Sequence, residues 1–188
     1  NHDVIAFTTN VGENIGAPSS RWLHFGLTSS DIIDTAFAVQ MTESVDILLD
    51  DLLQLRKVIA KKALKYQFTP MIGRSHGIHA EPTTFGQKMA MMYDEFGRAL
   101  DRLKVMRQRI SVGKLSGAVG TSAHLSPKTE SFVCRKLGLK AAPIATQVIQ
   151  RDIHADFMSC MALVGSSIDR WATEFRHLQR TEVLEAEE

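Results

Sequence analysis

Ala38-Val39-Gln40-Met41-Thr42-Glu43-Ser44-Val45-Asp46-Ile47-Leu48-Leu49-Asp50-Asp51-Leu52-Leu53-Gln54-Leu55-Arg56-Lys57-Val58-Ile59 is the stretch that decides the fold. Ala38, Met41, Val45, Leu48, Leu52, Leu55 and Ile59 recur in alternating steps of three and four, the signature of a helix seam. Thr28-Ser29-Ser30-Asp31, ahead of it, has the hydroxyl-x-x-acid character of a capping box, so the spacing predicts a helix from about residue 30 to 66, about 55 Å long at 1.5 Å per residue. A second seam runs through Phe85, Met89, Met92, Phe96, Ala99, Leu103, Met106 and Ile110. A third runs through Phe157, Met161, Val164, Ile168, Trp171, Phe175 and Leu178. The expected class is all-α, an elongated bundle of long helices. Ile33, Phe37, Leu49 and Leu53 widen the apolar stripe of the first rod beyond what one neighbour covers, which predicts self-association.

No β pattern of comparable length accompanies these seams. The 188 residues, 44% of them hydrophobic, suffice for one sizeable domain without a linker. Net charge is +1. The basic run Arg98, Arg102, Lys104, Arg107, Arg109, Lys114 is spread along a predicted helix among Asp94, Glu95 and Asp101, which describes a solvated or bundle-lining face and not a nucleic-acid surface. No run approaches the roughly 18 apolar residues of a membrane span, and no signal-peptide pattern is present. Cys134 and Cys160 fall in predicted helices without metal-ligand spacing, as suits reduced thiols in a cytoplasmic protein. The chain begins Asn1-His2-Asp3 and stops at Glu185-Ala186-Glu187-Glu188 inside what reads as a helical pattern, the expectation for a piece of a longer polypeptide.

The chemistry-bearing residues gather where the helices break. Gly73-Arg74-Ser75-His76-Gly77-Ile78-His79-Ala80-Glu81-Pro82-Thr83-Thr84-Phe85-Gly86 places two imidazoles and a carboxylate in a Gly-punctuated segment, and Pro82-Thr83-Thr84 reads as a helix start that would set the imidazoles at a positive helix end. Thr28 and Ser29 bring hydroxyls to the start of the long rod, where unpaired N–H groups favour a carboxylate or phosphate; Ser30 or Thr28 alone would serve as an ordinary cap. Arg21 and Arg74 are available as further positive charge or as ion-pair partners. An imidazole that titrates near neutrality suits proton transfer, and the glycines beside His76 give it room. His76-x-x-His79 lacks a third ligand and the i,i+4 spacing of a helical zinc pair. Gly117-Ala118-Val119-Gly120-Thr121 lacks the Gly-Lys-Ser/Thr ending of a P-loop and reads instead as a place where backbone approaches a neighbouring segment closely.

Four stretches taken together, His2-Asp3-Val4, Trp22 to Asp31, Gly73 to Gly86 and Gln147-Val148-Ile149-Gln150-Arg151-Asp152-Ile153-His154-Ala155-Asp156, with Lys114 to Thr121 between the last two, closely resemble the adenylosuccinate lyase family of the fumarase/aspartase superfamily. The resemblance covers essentially the whole chain. Gly26-Leu27-Thr28-Ser29-Ser30-Asp31 alone reaches only the superfamily; the stretch from His76 to Gly86 together with Gln150 to Asp156 points to this family.

The resemblance implies the central helical domain of the L-aspartase-like fold over residues 1–188, with 1–27 as an N-terminal helix and active-site loop and 28–188 as the long-helix bundle. It implies a homotetramer with shared active sites, no cofactor or metal, and β-elimination of fumarate from adenylosuccinate and from the succinyl-carboxamide ribotide of purine biosynthesis. It assigns His76 as the general acid on the departing nitrogen and His2 as a substrate-orienting histidine. Thr28, Ser29 and Ser75 become ligands of the succinyl carboxylates, and Gln147 a contact near the scissile bond. Family members usually carry Thr where this chain has Ser75, which keeps the hydroxyl and loses a stiffening methyl. His79 and Glu81 read as supports of the segment. The family's Ser-Ser-x-Met-Pro-x-Lys-x-Asn-Pro loop, source of the catalytic base, does not occur in these residues and is expected beyond Glu188. Another lyase of the superfamily, such as argininosuccinate lyase, a cycloisomerase, or a non-catalytic helical assembly module are the competing readings.

Overall fold

The computed structural model describes residues 2–187. Among them five α-helices carry the architecture: α1 (Asp3–Ile15), α2 (Ser29–Lys65), α3 (Phe85–Ile110), α4 (Pro127–Lys136) and α5 (Asp152–Leu178). The all-α reading stands, and α2 is a single uninterrupted 37-residue rod. Two small two-stranded ribbons interrupt the helices. Strands β1 (Pro70–Ser75) and β2 (Ile78–Thr84) form an antiparallel hairpin, and β3 (Val112–Gly113) pairs in parallel with β4 (Lys140–Ala141). The chain divides into two compact units, Asn1–Glu43 with Arg109–His154, and Ser44–Gln108 with Ala155–Glu188.

In the second unit the seams do the packing they were read for. Val45, Leu52 and Ile59 of α2, Met89, Met92, Phe96, Ala99, Leu103 and Met106 of α3, and Phe157, Val164, Trp171 and Leu178 of α5 are all buried. On α5 the seam positions Met161 and Ile168 depart from the sequence reading: Ile168 is half exposed with the small Ser167 buried beside it, and Met161 is only partly buried with Cys160 buried beside it. The buried set of α5 is therefore Phe157, Cys160, Val164, Ser167, Trp171 and Leu178, a three-and-four alternation as far as Trp171 that steps past Met161 and Ile168. The polar edge of Trp171 is satisfied, since its indole N–H donates to Glu95 Oε2 at 2.9 Å while Arg170 pairs with the same carboxylate and lies over the indole ring.

The segment ahead of α3 is a hairpin and not the helix start inferred from Pro82-Thr83-Thr84. Pro82 sits in β2 opposite Ile72, tolerated because a two-stranded ribbon has only edge strands. The helix begins three residues later, where Thr84 Oγ1 accepts the Gln87 N–H at 3.1 Å as an N-terminal cap. Gly73 makes the ribbon possible: a Cβ there would lie 2.6 Å from the Glu81 carbonyl oxygen, at the register shift between Ile72 and Arg74.

The helical reading of the last residues is likewise corrected. Helix α5 ends at Leu178, whose carbonyl accepts from the N–H groups of both Glu185 and Ala186. The chain turns back so that Arg74 can grip Glu185 through two bonds of 2.8 and 3.0 Å. That bidentate pair also answers whether Arg74 is a spare charge or an ion-pair residue.

In the first unit Ala38, Met41, Ile110, Leu115, Cys134, Leu139 and Ile149 form the buried apolar set. Ser126 caps α4 by accepting the Thr129 N–H, with Pro127 at the first helical position, as the sequence predicts. Burial raises both thiols, Cys134 and Cys160, above their ordinary range, so they are neutral side chains of the core at physiological pH.

Three carboxylates of the second unit lie below the usual range: Asp46, through its hydrogen bond from Arg107; Glu185, through its hydrogen bond from Arg74; and Glu95, where burial pushes upward but the bonds from Arg170, Ser167 and Trp171 together prevail. A folded pKa below the unfolded one means that the unfolded chain binds more protons in acid. The stability these groups contribute is therefore complete above about pH 4.5 and lost as pH falls through their folded values. Thermal scans at descending pH should show a flat melting temperature down to that point and a fall below it. Asp46→Asn, in a pair with both partners well exposed, should reduce the fall by under about 1 kcal/mol.

Candidate active site

The first turn of α2 organises the first unit. Asp31, the third helical residue, turns its carboxylate back to accept the Thr28 N–H at 2.9 Å, completing the acidic half of the capping box. Among the described bonds the Thr28 hydroxyl caps no N–H of the helix's first turn; its Oγ1 accepts from Gln147 Nε2 at 3.2 Å. Thr28 and Gln147, 119 positions apart, thus meet. Ser29 opens the helix beside them, half-buried, at its positive end.

One turn further, Asp34 fixes the segment that carries Gln147. Its Oδ2 accepts the Ile149 N–H at 2.8 Å, and Arg151 spans both carboxylate oxygens at 3.0 Å each. The Gly loop reaches the same segment from the other side. A Cβ on Gly120 would lie 1.9 Å from the Ala145 carbonyl oxygen, and Gly120 has φ +78°, so the close-approach reading of that loop is correct at this residue.

Lys114 was grouped with the basic face of the preceding helix, and the structure places it elsewhere. It follows α3 and β3, its side chain is wholly buried, and its ammonium pairs with Asp31 and donates to the Gly117 carbonyl at 3.2 Å. Thr35 holds the main chain of the same residue, accepting its N–H at 3.0 Å and donating to its carbonyl at 2.9 Å. Composition could not have shown this pairing, because 83 positions separate the two charges. Two histidines of this unit, His2 and His24, are distinct in setting. His2 precedes α1 and lies 3.2 Å from Asp3, exposed. His24 has a left-handed backbone with φ 61° and a buried Nε2 that has no hydrogen-bond partner among the described residues, as has Ser116 Oγ.

Ser75 and His76 belong to the second unit, at the tip of the β1–β2 hairpin. Ser75 pairs with Ile78, and His76 and Gly77, with φ 56° and 75°, form the two-residue turn. Two successive positive values are the type I′ geometry that matches strand twist, and they explain why glycine follows the histidine. His76 is exposed and displayed by a turn, not by a helix terminus. A non-glycine residue held there costs about 1 kcal/mol or more, and such strain is concentrated at functional positions. His79 and Glu81 are exposed on β2. Among the described residues no group of three or more His, Cys, Asp or Glu is placed to hold a metal ion, and no helix is long and apolar enough to cross a membrane.

A buried acid-anchored helix start that presents hydroxyls, and a strained histidine turn ahead of a long helix, are the two features for which comparison with known proteins is informative. The lyase family matches residues 1–188, and the chain belongs to that family. It is 51% identical over 187 residues to adenylosuccinate lyase from Bacillus subtilis (strain 168) and 49% identical over the same length to adenylosuccinate lyase from Staphylococcus saprophyticus. All of this chain is covered in both, and it spans 43% of their length. Among solved structures, a fumarate lyase from Mesorhizobium sp. BNC1 superposes with a TM-score of 0.88 at 31% identity, over 96% of this chain and 43% of that one. The 3-carboxy-cis,cis-muconate lactonizing enzyme from Pseudomonas putida gives 0.88 at 29%, over 97% and 42%.

Two glycines at positive φ separate close approach from turn geometry. Gly120→Ala forces a Cβ into the Ala145 carbonyl and should cost more than about 2 kcal/mol. Gly77→Ala, whose Cβ would meet nothing within 4 Å, should cost only about 1 to 2 kcal/mol for its left-handed backbone. Chemical denaturation of both variants checks the order.

Proposed function

We propose that this chain is the central helical domain of an adenylosuccinate lyase, catalysing β-elimination of fumarate from adenylosuccinate to give AMP and from SAICAR to give AICAR in purine biosynthesis. The observation that carries the reading is the first turn of α2. Asp31 fixes the Thr28 main chain through its N–H, and the hydroxyls of Thr28 and Ser29 stand at the positive helix end for a carboxylate of the succinyl group, with Gln147 on Thr28. Identity of 51% and 49% over the whole chain to curated members supports the same substrate class.

Elimination removes a proton from the carbon beside a carboxylate, forms the C=C bond of fumarate and breaks the C–N bond, so the departing nitrogen needs a proton. In this proposal His76 donates it from the hairpin turn, where exposure lets an imidazole reach a bound substrate. Ser75 beside it binds a carboxylate oxygen, and His2 orients the substrate. The carbon base would come from the family's Ser-Ser-x-Met-Pro segment, which is not among these residues. A cytoplasmic homotetramer with shared sites completes the proposal. Ile47, Leu53, Val58 and Leu64 of α2, between 41 and 70% exposed, support it, because four such residues on one rod are apolar surface suited to another subunit.

The structural likeness to the muconate lactonizing enzyme makes another superfamily reaction the second reading, as does a helical assembly module without activity. Fumarate release assayed over succinylated amines, argininosuccinate included, separates these from the first.

In the full-length protein His76→Ala should lower kcat by about 100- to 10,000-fold with a small change in KM, because a general acid acts chiefly in the transition state. Steady-state kinetics decide it: unchanged kcat with a raised KM would make His76 a binding residue. Sedimentation equilibrium on the same protein should give a tetramer, and a monomer at high micromolar concentration would remove the assembly argument.

A further inference from the structure

Asp31 and Lys114 form an ion pair in which neither side chain is exposed to solvent at all. A pair so deep adds little net stability, because desolvation of two charges offsets their attraction. Its geometry suggests another use. The Asp31 carboxylate accepts from three donors at once: the Thr28 N–H at 2.9 Å, the Gly117 N–H at 3.2 and 3.3 Å to its two oxygens, and the Lys114 ammonium. The ammonium then donates to the Gly117 carbonyl at 3.2 Å, closing a ring of Asp31, Gly117 and Lys114. Only a carboxylate has lone pairs for all three donors, and a carboxylate buried this far requires a counter-charge.

We propose that Lys114 is a positioning residue for the carboxylate-binding turn. Acting through Asp31, it holds the Thr28 main chain so that the Thr28 hydroxyl faces the substrate. The inference rests on the reading of Thr28 and Ser29 as carboxylate ligands. The supports of Lys114 itself are rigid: Thr35 brackets its main chain, and the next residue, Leu115, donates its N–H to the buried Glu130 at 2.7 Å. Among the described bonds Thr28 Oγ1 caps no N–H of its own helix and accepts only from Gln147, so its proton is left to donate to an anion. Loss of the ring would let Thr28 turn inward and cap its own helix, removing that donor from the site.

The test is a mutant cycle on the full-length protein, read as KM and kcat for adenylosuccinate. Lys114→Met alone strands a buried carboxylate and is prone to unfold, so the working variant is Asp31→Asn/Lys114→Met, which removes both charges. Thr28→Ala is made in the wild-type and in this background, with thermal melts confirming the folded state. Thr28→Ala should raise KM about tenfold or more in the wild type, the loss of a hydrogen bond to a charged group. In the charge-free background it should change KM by less than about threefold, since sites that act through one another are not additive. A folded double variant in which Thr28→Ala keeps its full factor overturns the positioning role and leaves the carboxylate site standing. A silent Thr28→Ala in the wild type overturns the carboxylate site and this inference with it. Thr35→Val keeps both charges and frees only the Lys114 main chain, so it serves if the double variant does not fold. It should shrink the Thr28→Ala factor, and an unchanged factor counts against the proposal.

Discussion

The carboxylate of Asp31 is the constraint on which the first unit depends, because a charge removed from water must be answered by every polar group around it. Three donors from two separate stretches converge on it: the N–H of Thr28 before α2, and, from the loop after β3, the Gly117 N–H and the ammonium of Lys114. The loop from Lys114 to Gly117 contains no helix or strand, and its path is set by side chains that reach into it from α2 and α4. Asp34 repeats the device one turn later for Ile149 and Arg151. The start of a long helix thus becomes a rigid platform, with its acids turned inward and its hydroxyls left over.

This arrangement inverts the usual economy of a helix N-terminus. Ordinarily a Thr or Ser spends its oxygen on the first free N–H groups, and nothing remains for a ligand. Here an acid three residues on holds the Thr28 main chain by its own N–H, the Thr28 hydroxyl caps no first-turn N–H among the described bonds, and Gln147 is brought to it by a segment that Asp34 and the Gly120 approach hold in place. The second unit solves a different problem. Its histidine is displayed on a two-residue turn whose backbone is fixed by hairpin twist, so that the imidazole is exposed while its main chain is not free. Strand pairing and the buried seams of α3 and α5 carry that rigidity, and the Arg74–Glu185 pair ties the hairpin to the turn after α5.

The long seams were legible in the sequence because burial along a helix follows a local period that any window of residues reveals. Val45, Leu52, Ile59, Phe96, Leu103, Val164 and Trp171 lie where that period puts them. Ile168 shows its limit: the period admits it, but the facing surface selects Ser167. The cap at Thr28 to Asp31 and the Ser126-Pro127 helix start were equally readable, since each is a contact within three residues.

What the tertiary structure alone decided are the pairings across long separations and the competition between strand and helix around Pro82. The sequence from Gly73 to Thr84 has neither clean alternation nor a helical period, and its Pro82-Thr83-Thr84 reads locally as a helix start; the pairing of Met71 with Thr83 and Ser75 with Ile78 made it a hairpin. Lys114 read as one more surface base because its chemistry is that of any lysine. Its burial against Asp31, 83 positions away, is a fact of packing that no local window contains. The residues of the candidate site were nameable from their types and motifs. Which hydroxyl is spent on the helix and which is free depends on hydrogen bonds between distant segments, and those exist only in the folded chain.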